Sequence, residues 1–115
     1  MHELSIALGI VDAAAEELER IGGGRVRSVH LRLGRLSGVA REALLSAYPL
    51  ACEGSVLEGS ALVITEEPVT AYCPGCEAEC VVASIVDLRC QACGQVASRL
   101  LRGRGIEVTA MEVDG

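Results

Sequence analysis

The 115-residue sequence contains neither tryptophan nor phenylalanine, and its two aromatic residues are Tyr48 and Tyr72. Half of the residues are hydrophobic, so we expect a core of leucine, isoleucine, valine and alanine that offers no platform for stacking bases. The formal net charge of −6 opposes contact with a phosphate backbone, because such contact depends on clustered Lys and Arg. We therefore predict no nucleic-acid partner.

Long apolar runs and a basic leader are also missing. Charged residues interrupt the apolar segments well before the roughly 20 residues that a membrane-spanning helix needs. The opening Met1-His2-Glu3 lacks the basic start of a secretory signal. We expect a soluble, cytoplasmic protein with no membrane partner, in which 115 residues provide one core and at most a small second module.

The first third of the chain has the pattern of a helix followed by a strand. Apolar residues in 4–21 recur at spacings of three and four, which predicts a helix. The predicted buried stripe consists of Leu4, Leu8, Val11, Ala15, Leu18 and Ile21. The glycine run 22–24 ends the helix, because glycine accepts positive φ and continues a helix poorly. Residues 25–33 alternate and predict a half-buried strand with Val29, Leu31 and Leu33 facing inward.

The rest of the chain predicts a second helix and several short strands. Residues 39–48 read as a helix with Leu44 and Leu45 inward, Ser37 near its start, and Pro49 straining or ending it. Strands are predicted at 61–66, 81–85, 96–101 and 105–113. If the last strand returns to the main sheet, the segment before it is an insertion and not a tail.

Four of the six cysteines form two Cys-x-x-Cys pairs. Cys73-Pro-Gly-Cys76 and Cys90-Gln-Ala-Cys93 are separated by thirteen residues. This spacing is typical of two tight turns that close on one tetrahedral zinc ion. A shell of four thiolates leaves no position for water, so the predicted zinc site is structural, and its module depends on the metal for its order.

Neighbouring residues fit this interpretation. Gly75 and Gly94 suit the tight turns, because small residues let backbone N–H groups point back at the sulfurs. Arg89 and Arg99 flank the second pair and are candidates to offset the negative charge of the thiolates.

Other interpretations of the cysteines stay open at this point. The pairs can instead form two disulfides, or Cys73 and Cys76 a redox dithiol, although no export signal supports an oxidising compartment. Cys80 can compete as a ligand or be an ordinary strand residue, and we favour the strand residue because the pairs already supply a full shell. Cys52 is expected to pack against apolar neighbours.

The N-terminus carries a second group of potential ligands. The α-amine of Met1, the amide nitrogen between the first two residues and the imidazole of His2 can chelate one ion through fused small rings. Flat nitrogen coordination of this kind suits Ni(II) or Cu(II) better than zinc. The amide or carboxylate of Glu3 is a candidate fourth donor. Alone the tripeptide is weak evidence, since Glu3 is also favourable at a helix start through the helix dipole.

The chain as a whole resembles the HypA-type hydrogenase nickel-incorporation proteins, which are nickel metallochaperones. The resemblance covers the whole chain and includes the opening residues 1–5, the segments 29–34 and 36–39, residues 57–59 and the two cysteine pairs. It implies an α+β fold in which two helices pack against a small mixed sheet, with an inserted zinc-ribbon-like module. On the element order above, residues 1–69 and 103–115 form the nickel domain and residues 70–102 the zinc domain.

The resemblance also implies the metals and the partners. Ni(II) is a transient cargo bound at Met1, His2 and Glu3, and Zn(II) is held by the four paired cysteines. A HypB-type GTPase and the hydrogenase large subunit are the implied protein partners, with urease a further recipient in some members. We expect no enzymatic activity, and a monomer or weak homodimer.

Three positions depart from the family pattern. Ala40 stands where many relatives carry an acidic residue, Pro49 lies within the expected second helix, and histidines beside the zinc cysteines are absent. His30 is interpreted as a residue on the outer face of a strand and is left out of the site. The competing functional hypothesis is a zinc-ribbon adaptor that binds proteins and delivers no nickel.

Overall fold

The computed structural model describes residues 3–84 and 86–114. Met1 and His2, on which most of the predicted nickel site depends, lie outside the described residues, as does Ile85 at the end of a predicted strand. The described residues form two helices and six strands, which are α1 (Glu3–Arg20), β1 (Arg25–Gly34), α2 (Arg41–Cys52), β2 (Ala61–Glu67), β3 (Thr70–Cys73), β4 (Ala78–Val81), β5 (Arg99–Arg102) and β6 (Ile106–Asp114).

The chain is divided into two compact units. The first comprises Met1–Arg32, Gly38–Thr65 and Glu107–Gly115, as far as its residues are described, and the second comprises Leu33–Ser37 and Glu66–Ile106. One three-stranded sheet has the order β2-β1-β6, and the other has the order β4-β3-β5. The predicted α+β fold with two helices is confirmed, and β6 does return to the sheet that contains β1. No helix among residues 3–84 and 86–114 is long and apolar enough to cross a membrane.

Helix α1 ends where the glycine run predicts. The N–H of Gly23 donates to the carbonyl of Leu18 at 2.8 Å, and the N–H of Gly22 donates to that of Glu19 at 3.1 Å. Gly22 has a φ of 97°. This is the Schellman pattern of bonds, which satisfies the last carbonyls of a helix and requires the left-handed backbone that glycine accepts. The glycine run therefore fixes the end of α1.

The buried stripe of α1 differs from the prediction by about one position. Leu4 and Leu8 are 46% exposed and Ile21 is 50% exposed, so the predicted outer members of the stripe face solvent. The predicted residues Val11 and Leu18 are buried, and the other buried residues of α1 are Ala7, Ile10 and Ala14. A sequence pattern ranks leucine above alanine as a core residue, whereas small residues are favoured where α1 contacts α2 closely.

Helix α2 continues through Pro49, so of the two predicted effects of this proline, strain or termination, termination is wrong. Proline lacks an N–H and removes one helical hydrogen bond. However, Leu44 and Tyr48 before it and Ala51 and Cys52 after it are all buried in the core of the first unit. Burial of both halves offsets the lost bond, since a buried apolar side chain contributes about 1.5–3 kcal/mol. The helix therefore runs to Cys52.

The expected role of Ser37 is also wrong. The N-cap of α2 is Ala40, which makes no side-chain capping bond. Ser37 lies three residues earlier in a turn of the second unit, where its N–H donates to the carbonyl of Gly34 at 3.0 Å. The start of α2 is thus set by tertiary packing, in which Leu44 is fully buried, and not by a polar cap.

Strands β1 and β6 are joined by a polar network on the face that carries His30. The Glu112 carboxylate accepts hydrogen bonds from Ser28 and Arg27 and lies 3.0 Å from His30 Nε2. Arg27 also pairs with Asp114 at 3.1 Å. His30 is therefore half-buried in a network of its own sheet, consistent with its interpretation as a strand residue.

Glu112 gives this network a testable pH dependence. Hydrogen bonds from Ser28, His30 and Arg27 lower the pKa of Glu112 from 4.5 to about 2. A carboxylate whose folded pKa is depressed stabilises the fold above its unfolded pKa, and this contribution is lost as the pH falls through the folded pKa. We expect wild type to exceed Glu112→Gln in stability at pH 7, with the difference disappearing between about pH 4.5 and 2. Urea unfolding across this pH range measures it.

The matched control is Glu16→Gln, which removes a carboxylate from the exposed face of α1. It is expected to follow the wild-type acid profile. A difference between wild type and Glu112→Gln that stays constant down to pH 2 would contradict the assignment.

The second unit contains a strand that the sequence did not predict. Strand β3 pairs antiparallel with β4 and with β5, and the register sets Ala71 opposite Cys80 and Cys73 opposite Ala78. The predicted strand at 81–85 is wrong at residues 82–84, because the hairpin with β3 places the strand at Ala78–Val81. In place of the strand predicted at 96–101, the structure has the shorter strand β5, which begins three residues later, at Arg99–Arg102.

Candidate metal centre

The four paired cysteines come together in the second unit. Cys73 ends β3, Cys76 lies in the turn before β4, and Cys90 and Cys93 belong to a second turn between β4 and β5. Their sulfur atoms all lie within 4.8 Å of one another. The distances are 3.5 Å from Cys73 to Cys93 and 4.0 Å from Cys76 to Cys90. The structure thus assembles the constellation predicted from the spacing.

These distances fit a zinc ion. Tetrahedral Zn²⁺ with Zn–S bonds of about 2.3 Å places its sulfur ligands about 3.8 Å apart. The observed distances lie on both sides of that value. The soft thiolate donor set also suits zinc better than magnesium or calcium.

The cluster is buried on one side only. Cys73 is fully buried and Cys90 is 2% exposed, and both pack in the apolar core of the second unit with Val69, Ala71 and Val82. Cys76 and Cys93 are exposed. Each Cys-x-x-Cys turn therefore contributes one inner and one outer sulfur.

Backbone N–H groups point at the sulfurs, as the short turns predict. The N–H of Cys76 lies 3.4 Å from the sulfur of Cys73. In the second turn, the N–H groups of Cys93 and then Ala92 lower the pKa of Cys90 to about 6. The neighbouring thiols, Cys93 first, raise the pKa of Cys76 to about 12. Crowded thiols disfavour full ionisation until a cation offsets their charge, so the cluster has the electrostatics of a metal site.

The Gln95 side chain, which the sequence analysis did not identify, lies against Gly75. A Cβ at Gly75 would lie 1.8 Å from Oε1 of Gln95 and 3.5 Å from the sulfur of Cys93. The glycine therefore lets the Gln95 amide approach the first turn. Gly94 has a φ of 80°, consistent with the expected tight turn. Gln95 carries no motif signal, since only the fold brings it beside Gly75.

The two arginines expected to offset the thiolate charge interact with other groups. Arg89 forms a bidentate pair with Asp87 at 2.9 and 3.0 Å. Arg99 lies over the ring of Tyr72, 5.3 Å from its centroid. Backbone N–H groups, rather than these side chains, contact the sulfurs.

The remaining predicted residues lie as follows. All six cysteines are free thiols in the structure. Cys80 is a buried residue of β4, as expected of a strand residue, and Cys52 is buried in the core of the first unit. Glu3, the described member of the predicted nickel site, is the first residue of α1 and is half-buried.

Comparisons with known proteins agree with this architecture. Residues 1–113 match the family model described as "Hydrogenase/urease nickel incorporation, metallochaperone, hypA". The chain is 43% identical over 114 residues to the hydrogenase maturation factor HypA of Roseiflexus sp. (strain RS-1), covering 99% of this chain and 93% of that protein. It is 40% identical over 112 residues to the factor of the same name from Chloroflexus aurantiacus (strain ATCC 29366 / DSM 635 / J-10-fl), covering 97% and 98%.

The fold is also similar to a solved structure. The solution structure of the Ni metallochaperone HypA from Helicobacter pylori matches with a TM-score of 0.71 at 20% identity and covers 98% of this chain and 97% of that one. At that identity the likeness establishes the fold alone. The family model and the relatives span nearly the whole sequence, and the chain therefore belongs to the HypA family of hydrogenase/urease nickel-incorporation metallochaperones.

Proposed function

We propose that this protein binds Ni(II) at its N-terminus and delivers it during the maturation of [NiFe]-hydrogenase. The observation that carries the proposal is the family match, which begins at residue 1 and therefore includes the Met1-His2-Glu3 opening. The amine and amide nitrogens of residues 1 and 2, with the His2 imidazole, form a flat donor set that suits Ni(II). Such a site is open at its edges and releases its ion readily, as a delivery protein requires.

In this proposal each of the two units binds a different metal. The first unit contains α1, whose first residue Glu3 is the proposed further donor beside Met1 and His2, so this unit carries the nickel site in the proposal. The second unit holds Zn(II) through Cys73, Cys76, Cys90 and Cys93, and the metal fixes the shape of this unit. The zinc has no role as cargo, because a complete thiolate shell leaves no open position.

The proposed partners are a HypB-type GTPase and the hydrogenase large subunit, with urease as a further proposed recipient. Docking of a partner would supply donors that compete for the open axial faces of a square-planar Ni(II) ion. Equal rates of nickel transfer with and without the GTPase would contradict docking-assisted release. The proposed location is the cytoplasm, where these partners would be met.

The test of the nickel site is a titration of untagged protein with Ni(II). We expect wild type to bind one equivalent and His2→Ala to bind at least about tenfold more weakly, which corresponds to about 1.4 kcal/mol. A short uncleaved N-terminal extension should have a similar effect, because it converts the α-amine into an amide.

The matched control is His30→Ala, which removes the second histidine of the chain from the Glu112 network. Nickel affinity equal to wild type is expected for this variant. If His2→Ala binds nickel as well as wild type does, the N-terminal site is wrong. If untagged protein ignores Ni(II) altogether, the zinc-stabilised protein adaptor becomes the better hypothesis.

A further inference from the structure

A fifth thiol lies on the inner side of the four-cysteine cluster. In the β3–β4 hairpin, Cys80 stands opposite Ala71 and Cys73 stands opposite Ala78. Residues two apart on a strand share a face. Cys73 and Cys80 are therefore diagonal neighbours on one face of the hairpin.

Burial and contacts direct this thiol at the cluster. Cys80 is only 9% exposed and packs in the same apolar core as Cys73 and Cys90. The thiols of Cys90 and Cys73 act electrostatically on the Cys80 side chain. The inner side of the cluster thus contains three thiols, Cys73, Cys80 and Cys90, while Cys76 and Cys93 form the outer side.

We propose that Cys80 is a reserve zinc ligand that replaces Cys76 when this exposed sulfur leaves the metal. The proposal rests on the zinc site of the proposed function. In the exchange, the zinc–sulfur bond to Cys76 breaks and one to Cys80 forms, while the Cys80 thiol proton passes to the departing Cys76 thiolate. Charge and the number of sulfur ligands are unchanged. The zinc ion keeps a complete shell of four thiolates.

Cys76 is the ligand exchanged because it shares a hairpin with Cys80. After the exchange, that hairpin still supplies two ligands, Cys73 and Cys80, and the second turn still supplies Cys90 and Cys93. Cys93 belongs to the second turn, so its replacement by Cys80 would leave three ligands on the β3–β4 hairpin and one on the second turn. The exchange also presents Cys76 as an exposed free thiol, without loss of the metal that orders the unit.

The experiment replaces zinc by Co(II), whose thiolate-to-metal charge-transfer absorption increases with each Co–S bond. The proteins compared are wild type, Cys76→Ala, the double variant Cys76→Ala/Cys80→Ala, and the control Cys76→Ala/Cys52→Ala. Cys52 is the matched control because it is a buried thiol outside the second unit. We expect Cys76→Ala and the control double variant to keep the full intensity of wild type. The Cys80 double variant should lose about one quarter, as one of four ligands is missing.

The reserve-ligand proposal would be overturned if Cys76→Ala alone lost a quarter of the charge-transfer intensity and the Cys80 double variant lost no more. That outcome would show that Cys80 only fills the core. A wild-type protein that binds neither zinc nor Co(II) would instead refute the zinc site itself, so the two failures are distinguishable.

A second measurement avoids variants that fold poorly. Zinc-loaded wild-type protein is treated with iodoacetamide and followed by mass spectrometry under native conditions. We expect a species alkylated once, at Cys76, that still contains one zinc ion. Release of zinc together with the first alkylation would overturn the proposal.

Discussion

Replacement of Cys90 by serine is expected to lower the zinc affinity sharply and to unfold β3, β4 and β5 while leaving α1 and α2 folded. Cys90 is 2% exposed, and its sulfur takes part in both the metal cluster and the apolar core of the second unit. Structural zinc contributes an apparent binding free energy of about 10–16 kcal/mol in small zinc modules. A folded domain has a total stability of about 5–15 kcal/mol. A unit that loses its zinc therefore loses most of its stability.

Elemental analysis and hydrogen exchange measure the two parts of this prediction. Amides of β3–β5 should exchange rapidly in Cys90→Ser, and those of α1 should stay protected. The control is Cys52→Ser, which changes an equally buried cysteine in the first unit and should leave zinc content unchanged. Retention of β3–β5 protection in metal-free Cys90→Ser would show that the apolar core alone folds the second unit.

Gly34→Ala is expected to destabilise the second unit by about 3 kcal/mol, near the upper end of the usual cost of overpacking. A Cβ at this position would lie 2.4 Å from the carbonyl carbon and oxygen of Gly103. Backbone atoms cannot rotate away, and Gly103 is itself fixed by a φ of 105° with Val69 Cα 2.8 Å from the position of its own absent Cβ. Two backbone segments thus meet where neither tolerates a side chain.

Hydrogen bonds between these two backbone segments add to the free-energy cost of moving them apart. The N–H of Gly34 donates to the carbonyl of Gly105 at 2.8 Å, and the N–H of Leu36 donates to that of Gly103 at 2.6 Å. Urea unfolding monitored in the second unit measures the loss. Gly105→Ala is the matched control, because a Cβ there meets no atom within 4 Å. It should unfold at nearly the wild-type urea concentration, and equal effects of the two substitutions would contradict the steric argument.

The sequence predicted those features whose physical cause is local. The spacing of apolar residues and the glycine run gave α1 and its end, and the alternation in residues 25–33 gave β1, because a helix and a strand each impose their own period. The two Cys-x-x-Cys turns predicted a four-thiol cluster, because the reach of two thiolates on one tight turn is a property of the turn itself.

Features that depend on tertiary packing could not be predicted in this way. Helix α2 passes through Pro49 because Ala51 and Cys52 beyond it are buried, a fact absent from the local pattern. The four-residue strand β3 is too short to show a period and is defined by its partners β4 and β5. The approach of Gln95 to Gly75 likewise exists only in the folded turns.

The division of the thiol cluster into two buried and two exposed sulfurs has a kinetic consequence. A competing chelator first displaces only the exposed sulfurs of Cys76 and Cys93. It therefore forms a mixed complex, in which zinc is still bound to Cys73 and Cys90, before those two bonds break. Zinc transfer to a buffer or to another protein should therefore speed up with acceptor concentration, whereas spontaneous dissociation into water stays slow. The lifetime of the bound ion is then set by what surrounds the protein as much as by its own affinity.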